Sequence, residues 1–242
     1  MRCALVVSAL AACAPARMTV PRSQGVAIGT VTLSLSNVHV MFGEHPLLVD
    51  TGSPGDLVDL RRGLRDLGVR LADIKCAVVT HGHADHAGNA RALQKLGIKI
   101  IAGEGDMWRE LAGVHGHLTS TGVFAVFLKL IIPGHYDAFW PDIRVAGECD
   151  LHDCGVDAKV IAMPGHTRGS VVVIAGKVAL VGDLFRGGLV TAGEPKEHFY
   201  QDDLALAHQR IHELLARGIE VFVLGHAGPA TRADVIRVFG TH

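Results

Sequence analysis

Three histidines and one aspartate lie within the segment THGHADHAGN, residues 80–89. Imidazole and carboxylate groups are common ligands of zinc, iron and manganese in proteins. Bringing four such groups together without a cation costs solvation free energy, because each polar group loses contact with water. We therefore predict a metal site at His81, His83, Asp85 and His86.

A single compact metal ion would not accommodate all four of these side chains. His81 and His83 are two residues apart after a predicted strand, so an extended backbone would direct both imidazoles to the same side. Asp85 and His86 follow in the next turn and are free to point elsewhere. Two neighbouring metal ions could share the four groups, and each ion would then need further ligands from other parts of the chain.

Three further ligand candidates stand at predicted strand ends and adjoin glycines, which permit tight turns and close backbone approach. Any one of them alone would more commonly be a hydrogen-bonded histidine or an aspartate that closes a turn. The cluster at residues 80–89 makes metal ligation the favoured interpretation. The three candidates are His166 in PGHTRGS, Asp183 in LVGDLF and His226 in LGHAGP.

Short apolar segments that predict buried strands lead into these residues. KCAVVT runs directly into His81, and IEVFVLGH ends on His226. LLVDTG and ALVGDL likewise end near Asp50 and Asp183. The chain thus contains two similar groups of strands, and we expect the strand ends of both groups to converge on one site.

Apolar periodicity assigns most of the remaining chain to strands and helices. TVTLSLS (30–36) alternates as a half-buried strand, and residues 170–183 predict two strands around a turn. The motif TRAD (231–234) predicts a capping box at a last helix. The glycine-rich residues 103–157 show no clear pattern. Other helices are predicted at 55–68, 90–97 and 202–218, the last capped by Asp202 or Asp203.

The motifs LLVDTG, THGHADHAGN, PGHTRGS, LVGD and LGHAGP occur in the order found in the metallo-β-lactamase superfamily. From about residue 30 to its end the chain resembles that family. The resemblance implies a four-layer αββα sandwich with a dinuclear metal site at one edge, supported by Asp50 in a strand-end turn. It further implies that His81, His83 and His166 hold the first metal, that Asp85, His86 and His226 hold the second, and that Asp183 bridges both.

Charge counting predicts what such a site would do. Against five neutral imidazoles and two carboxylates, two divalent ions keep an excess positive charge of about +1 once a hydroxide bridges them. The resemblance implies a hydrolase in which this metal-bridging hydroxide attacks a carboxyl ester, thioester, lactone or related amide. Asp85 is the predicted catalytic residue, because it could orient the hydroxide and carry a proton to the leaving group. Zinc is the expected metal, with iron or manganese as alternatives because no cysteine is among the ligands.

Other members of the same fold offer alternative functions. Typical zinc β-lactamases lack a bridging aspartate such as Asp183, which disfavours that activity without excluding it. An iron-dependent persulfide dioxygenase would use one metal, and a non-catalytic binding protein would be expected to lack ligands; the complete ligand set disfavours both. Hydroxyacylglutathione hydrolases carry a helical extension, and the short stretch after His226 disfavours that subgroup.

The expected partner is a small-molecule substrate, in particular an anionic one. Arg168 and Arg186 are the basic residues closest in sequence to the ligand candidates, and either could bind a substrate carboxylate. Lys and Arg total 23 against 24 Asp and Glu without a basic cluster, so a nucleic-acid partner is not expected. The 15 histidines against 5 cysteines agree with metal chemistry based on imidazole.

The first 24 residues predict a signal-like or flexible segment before a hydrolase domain at residues 25–242. Arg2 and a short apolar stretch precede LAAC, which resembles a bacterial lipobox with Cys13 as the lipidated residue. An exported lipoprotein or periplasmic protein is therefore expected, with membrane contact only through that lipid. A cytoplasmic protein that starts at Met18 is the alternative.

The cysteines leave the disulfide pattern open. Cys149 and Cys154 lie close enough in sequence to bridge a small loop in an exported protein. Two free thiols are an equal alternative for these residues.

Overall fold

The computed structural model of the protein describes residues 16–20, 25–116, 118–122, 125–126, 129, 132–188 and 190–240. Within these ranges the chain forms two large β-sheets that face each other across an apolar core. Helices cover the outer side of each sheet. The candidate ligands lie where the carboxyl ends of strands from both sheets meet.

The first large sheet has seven strands that follow one another in chain order. They are β1 (Arg17–Val20), β2 (Ala27–Thr32), β3 (Asn37–Phe42), β4 (Leu47–Val49), β5 (Cys76–Val79), β6 (Lys99–Gly103) and β7 (Ile143–Val145). β1 to β4 pair antiparallel, and β4 to β7 pair in parallel. Because β4 and β5 are parallel, their carboxyl ends lie side by side, which places Asp50 against Thr80 and the histidine cluster.

The second large sheet has six strands. They are β8 (Glu148–Asp150), β9 (Lys159–Ala162), β10 (Val171–Ala175), β11 (Val178–Leu180), β14 (Val221–Val223) and β15 (Ala230–Thr231), and their order in space is β15-β14-β11-β10-β9-β8. β11 and β14 are parallel, so Asp183 and His226, which follow these strands, lie at the same edge. β12 (Arg186–Gly187) and β13 (Pro195–Lys196) form a separate two-stranded sheet.

Three apolar cores separate four layers. The central core lies between the sheets and includes Val78 and Val173. An outer core packs Leu64 of the first helix on the first sheet, and another packs Ile211 on the second sheet. This layering confirms the predicted αββα sandwich. The helices are α1 (Leu57–Asp66), α2 (Ala84–Ala87), α3 (Ala90–Lys95), α4 (Met107–Ala112), α5 (Leu204–Ala216) and α6 (Arg232–Phe239).

Two predicted segments differ from the structure. The strand predicted at 30–36 ends at Thr32, where the backbone N–H of Leu33 donates to the carbonyl of Ser36 in a turn. The chain reverses there so that β3 can pair with β2, and this pairing overrides the alternating pattern. The segment 103–157, which showed no clear pattern, contains α4, β7 and β8.

Both predicted helix caps are confirmed. Asp203, rather than Asp202, caps α5, and its carboxylate accepts a hydrogen bond from the backbone N–H of Leu206 at 2.9 Å. Thr231 and Asp234 form the capping box at the start of α6. Capping is local in sequence, so the residue pattern suffices to predict it.

Residues on both sides of the predicted boundary at residue 25 contribute to the first sheet. Arg17–Val20 form a strand on the edge of the first sheet, and Val20 is buried in the central core. Without β1, the strand β2 would be the edge of this sheet, and its unpaired backbone groups can pair with the segment that precedes it. Cys13 lies outside the described residues, so the lipid anchor stays a prediction. Among the helices described, none combines the length and apolar character that crossing a membrane requires.

A disulfide joins Cys76 on β5 to Cys154 beside β8. Both residues are buried in the central core, so the bond links the two sheets. Both alternatives considered for Cys149 and Cys154 are therefore wrong: they do not bridge each other, and of these two residues only Cys149 is free. The partners are 78 residues apart, and only the packing of the sheets brings them together.

Reduction of this disulfide is expected to lower the free energy of unfolding by roughly 2–4 kcal/mol, because it releases a long loop in the unfolded chain. Urea unfolding of the oxidised and reduced protein measures the difference. Cys154→Ser should show no further effect of reductant, and Cys149→Ser should respond to reductant as the natural chain does. Identical unfolding curves with and without reductant would show that the bond contributes nothing.

Candidate metal centre

The first three candidate ligands meet at the edge of the sandwich. His81 and His83 follow β5, and His166 follows β9. Their ligand nitrogens lie within 4.8 Å of one another, and His83 Nδ1 is 3.1 Å from His166 Nε2. All three side chains are buried. We call this group the first ligand set.

Asp85, His86 and His226 form a second group beside the first, which we call the second ligand set. Asp85 Oδ2 lies 3.6 Å from His86 Nε2 and 3.4 Å from His226 Nε2. The two histidine Nε2 atoms are 3.4 Å apart. Asp85 and His86 belong to the short helix α2, whereas His226 comes from the turn after β14.

Asp183 lies between the two sets. Its Oδ2 atom is 3.8 Å from Nε2 of both His81 and His166 in the first set. The same oxygen is 3.3 Å from His86 Nε2 and 3.1 Å from His226 Nε2 in the second set. One carboxylate oxygen is therefore shared between the two groups, which is the arrangement expected of a bridging ligand.

Hydrogen bonds from the far side of the rings orient three of the histidines towards this centre. The Nδ1–H of His166 donates to the Tyr200 carbonyl at 2.8 Å, and that of His226 donates to the Leu35 carbonyl at 2.8 Å. The Nδ1–H of His86 donates to Asp50 Oδ2 at 2.8 Å. Such bonds place a proton on Nδ1 and turn each Nε2 towards the centre.

Asp50 couples the end of β4 to the histidine cluster. Besides His86, its carboxylate accepts hydrogen bonds from the backbone N–H and the hydroxyl of Thr80, each at 2.8 Å from Oδ1. Asp50 has a positive φ of 69°, a strained conformation for a residue with a side chain. The strained turn directs the buried carboxylate at His86.

Gly225, next to His226, has a steric role in the site. A Cβ atom at this position would lie 2.3 Å from Asp183 Oδ1 and 2.7 Å from His86 Cε1. A side chain at this position would displace Asp183 and His86. The glycine of the LGHAGP motif is thus required by the close approach of the backbone to the site.

His198 is a site residue that sequence reasoning missed. Its Nε2 atom lies 3.1 Å from Asp183 Oδ2, and its buried ring packs against His166 at a centroid distance of 4.7 Å. Together with His166 and Asp183 it forms another group of possible ligands. The residue lies in the irregular loop after β13, where no motif or periodicity marks it; only the high histidine content hinted at further members.

Burial and charge divide the histidines into two classes. Burial is the main cause that lowers the pKa of His81 and His166 well below the ordinary value of 6.5 and that of His83 to about 3. These three imidazoles are therefore neutral at pH 7, so each has one unprotonated ring nitrogen that can bind a cation.

The second set carries ion pairs instead. Burial alone would lower the pKa of His86 and His226, but nearby carboxylates, Asp183 foremost, raise it, to about 10 for His226. Burial would raise the pKa of Asp85 and Asp183, yet the neighbouring histidines hold both below the usual range. A cation that binds here would take the place of the histidine protons.

The donor set fits divalent cations. His81 Nε2 and Asp183 Oδ1 are buried without a hydrogen-bond partner, which is costly unless something else binds them. Imidazole nitrogens and carboxylate oxygens are the ligand types used by zinc, iron and manganese. The seven predicted ligands are therefore brought together in a form that could hold metal ions, and the assignment of each to one ion stays a prediction.

A cavity of about 380 Å³ opens onto the site. Asp85, Asp183, His198 and Arg186 are among its lining residues. Arg168 lines a different groove, beside Trp108, and is exposed. Of the two arginines considered for substrate binding, only Arg186 is placed to contact a molecule at the metal centre.

Comparison with known proteins agrees with this architecture. Residues 31–226 match the family described as the metallo-β-lactamase superfamily. Metallo-beta-lactamase domain-containing protein 1 of Rattus norvegicus is 30% identical over 194 residues, covering 76% of this chain and 62% of the relative. A hydroxyacylglutathione hydrolase of Albidiferax ferrireducens is 30% identical over 123 residues, covering 51% of this chain and 34% of the relative. The chain thus spans less than two thirds of the length of either relative.

Solved structures share the fold at lower sequence identity. A metallo-β-lactamase from Cronobacter sakazakii superposes with a TM-score of 0.63 at 19% identity, covering 88% of this chain and 79% of that chain. Identity at this level shows the common fold alone.

Proposed function

Because the chain belongs to the metallo-β-lactamase superfamily, we propose that it is a metal-dependent hydrolase that cleaves a carboxyl ester, thioester, lactone or related amide. One observation carries the proposal. Asp183 Oδ2 lies within 3.8 Å of histidine nitrogens from both ligand sets. A carboxylate shared in this way suits two adjacent cations, and the predicted ligands of both are present.

Two zinc ions are the proposed cofactor. The ligand candidates are imidazoles and carboxylates without a thiolate, so iron or manganese could take the place of zinc. When bound, divalent ions act as Lewis acids and make hydroxide available near neutral pH. The neutral imidazoles of the first set are ready to bind without losing a proton.

We propose that Asp85 transfers a proton during the reaction. Its carboxylate lines the cavity, and the histidines of the second set help to keep its pKa below the usual range, so it is ionised at pH 7. An ionised carboxylate at this place can accept a proton from the attacking water. It can then pass that proton to the leaving group on the cavity side.

The surroundings of Arg186 favour a substrate that carries a negative charge. Its guanidinium stacks over the Phe199 ring at 3.9 Å, and Nη1 donates to the Gly187 carbonyl. Its Nε atom is buried without a hydrogen-bond partner, and in the ranges that the structure describes no carboxylate forms an ion pair with this arginine. A partly buried cation without a counter-charge favours a ligand that carries a carboxylate or another anionic group.

Thioesters come first among the substrates to test. The relative from Albidiferax ferrireducens is named a hydroxyacylglutathione hydrolase, and the similarity covers about half of this chain, 51%. Such a substrate combines a thioester with carboxylates, which agrees with the place of Arg186 in the cavity.

A substrate panel tests the proposal directly. The full chain, loaded with zinc, is assayed with anionic and neutral thioesters, lactones, esters and nitrocefin, and its metal content is measured. We expect hydrolysis of a carbonyl substrate that a chelator abolishes and zinc restores. Oxygen consumption with a persulfide by the iron-loaded protein, without hydrolysis, would instead assign a dioxygenase. A protein that binds no metal and hydrolyses nothing would contradict the proposal.

Replacing Arg186 with alanine is expected to raise KM for anionic substrates by roughly tenfold to a hundredfold, the range of a charge-assisted hydrogen bond. Neutral esters should be hydrolysed with little change in KM, because they have no group for the guanidinium to bind. Steady-state kinetics on matched anionic and neutral substrates gives the comparison. Arg168→Ala is the control, since that arginine lies outside the cavity. An equal rise in KM for both substrates would exclude Arg186 from anion recognition.

A further inference from the structure

We propose that Asp106 is a positioning residue that ties together the two loops of the first ligand set and sets the distance between His83 and His166. The inference rests on the proposed function in that it assumes a metal at this set. Asp106 itself lies outside the ligand groups and ends the loop between β6 and α4.

Both loops donate hydrogen bonds to this one carboxylate. Oδ2 accepts from the backbone N–H of Gly82, between His81 and His83, at 2.9 Å. The same oxygen accepts from the hydroxyl of Thr167, the residue after His166, at 2.5 Å. Oδ1 accepts from the backbone N–H of Gly169 at 3.2 Å. The donors are 24, 61 and 63 residues away in sequence, so the contact is purely tertiary.

Arg109 supplies the counter-charge. Its Nη1 donates to Asp106 Oδ1, and both side chains are buried. Arg109 Nη2 reaches Asp202 Oδ2 at 3.1 Å, and the backbone N–H of Asp202 donates to the His166 carbonyl at 3.0 Å. The pair therefore touches the His166 loop at a second point. A buried carboxylate that accepts hydrogen bonds from three loop donors and from a paired guanidinium is a rigid anchor.

Both loops can approach Asp106 closely because the residues nearest to it, Gly82 and Gly169, have no side chains. A Cβ atom on Gly169 would lie 2.3 Å from the backbone nitrogen of Asp106. A Cβ on Gly82 would lie 3.2 Å from the Cβ atoms of Asp106 and Arg109. This close approach leaves little room for a longer side chain or for a water molecule that could replace the carboxylate.

Gly82 is held from its other side as well. The hydroxyl of Tyr136 donates to the Gly82 carbonyl at 3.0 Å. Both peptide groups that flank Gly82 are thus hydrogen-bonded to side chains, and the backbone between His81 and His83 has little freedom to rotate. The position of the whole HGH segment relative to His166 then depends on the Asp106 contact.

The test separates positioning from ordinary stabilisation. Asp106→Asn keeps the size of the side chain but replaces one accepting oxygen with a donor, so at least one loop loses its bond. In a His226→Ala background, which leaves the first ligand set, we expect this change to weaken zinc affinity tenfold or more and to alter the visible spectrum of the cobalt-substituted protein. In a His83→Ala background, which leaves the second set, zinc affinity should change less than threefold.

Asp142→Asn is the matched control. Asp142 also accepts a backbone hydrogen bond, from Ile100 at 2.8 Å, but it has no contact with either ligand loop. This variant should lower thermal stability without changing zinc affinity or the cobalt spectrum. Thr167→Val removes only one donor to Asp106 and should weaken zinc binding by a smaller factor. This variant replaces Asp106→Asn in the test if Asp106→Asn does not fold.

The proposal would be overturned if Asp106→Asn changed neither the zinc affinity nor the cobalt spectrum. If Asp106→Asn does not fold, the same result in Thr167→Val would overturn it. So would an equal fall in thermal midpoint with and without chelator, because that marks a residue that only stabilises the fold. If the natural chain binds no metal at all, the proposed function itself fails, and this outcome is distinct from the others.

Discussion

Replacing Asp183 with asparagine is expected to leave the protein with less metal at the second ligand set and to lower turnover roughly tenfold or more. Asparagine has almost the shape of aspartate but lacks its charge, and one of its two ends is a donor. Because Oδ2 of Asp183 faces nitrogens of both sets, the change removes the negative charge that the two ligand sets share. Metal analysis after dialysis and turnover on a substrate from the panel measure the two effects.

Asp59→Asn, on the exposed surface of α1, is the control for loss of an aspartate charge. It should leave metal content and turnover as in the natural chain. Two tightly bound ions and full turnover in Asp183→Asn would remove Asp183 from the bridging role. A chelator should also lower the thermal midpoint of the natural chain, since ligands that bind only the folded state stabilise it.

Replacing Glu110 with glutamine is expected to stabilise the protein at alkaline pH. Glu110 lies fully buried on α4, and neither of its carboxylate oxygens has a hydrogen-bond partner within the described ranges. Burial, with a contribution from the charge of Asp106, raises its pKa from 4.5 to about 8. The folded protein therefore binds a proton at this residue that the unfolded chain releases above its ordinary pKa.

The sign of the pH effect follows from that difference. The contribution of Glu110 to stability is fully present below the ordinary pKa and is lost as pH rises towards about 8. Glutamine is neutral at every pH, so Glu110→Gln avoids this loss. We expect the variant to exceed the natural chain by roughly 2–4 kcal/mol in free energy of unfolding at about pH 8, and by much less at about pH 5.

Urea unfolding at both pH values, at equal metal loading, measures this difference. Glu104→Gln is the matched control, because Glu104 lies in the same segment but is exposed. Its unfolding free energy should differ little from that of the natural chain at either pH. A gap between Glu110→Gln and the natural chain that stays constant with pH would show that the carboxyl of Glu110 does not titrate in this way.

Most candidate ligands were accessible from sequence because they follow the end of a short apolar strand, and Asp85 and His86 stand in the same cluster as His81. His81 and His226 directly follow segments whose hydrophobic pattern predicts a strand, and the structure places β5 and β14 there. Gly225, beside His226, is required because Asp183 lies close to its backbone, and the sequence shows this requirement as a glycine next to the ligand. The helix caps at Asp203 and Thr231 were predictable because each forms its hydrogen bond with a residue three positions further along the chain.

Other site residues left no such trace. His198 lies in an irregular loop, and its contact with Asp183 depends on the path that this loop takes. The choice between Arg168 and Arg186 was equally open, since both adjoin ligand motifs and only one faces the cavity. Sequence distance was misleading for the cysteines, where the true partner of Cys154 is Cys76.

By itself the sequence determined most of the alternation of strands and helices and the seven candidate ligands, because periodicity and strand-end motifs are local properties. The four-layer class followed from the resemblance of those motifs to a known family. The tertiary structure alone decided which residues touch. It brought one oxygen of Asp183 between two ligand sets, joined the loops of His83 and His166 through Asp106, and linked the sheets through Cys76. Those contacts depend on how two sheets pack and where their loops run, and no local pattern encodes either.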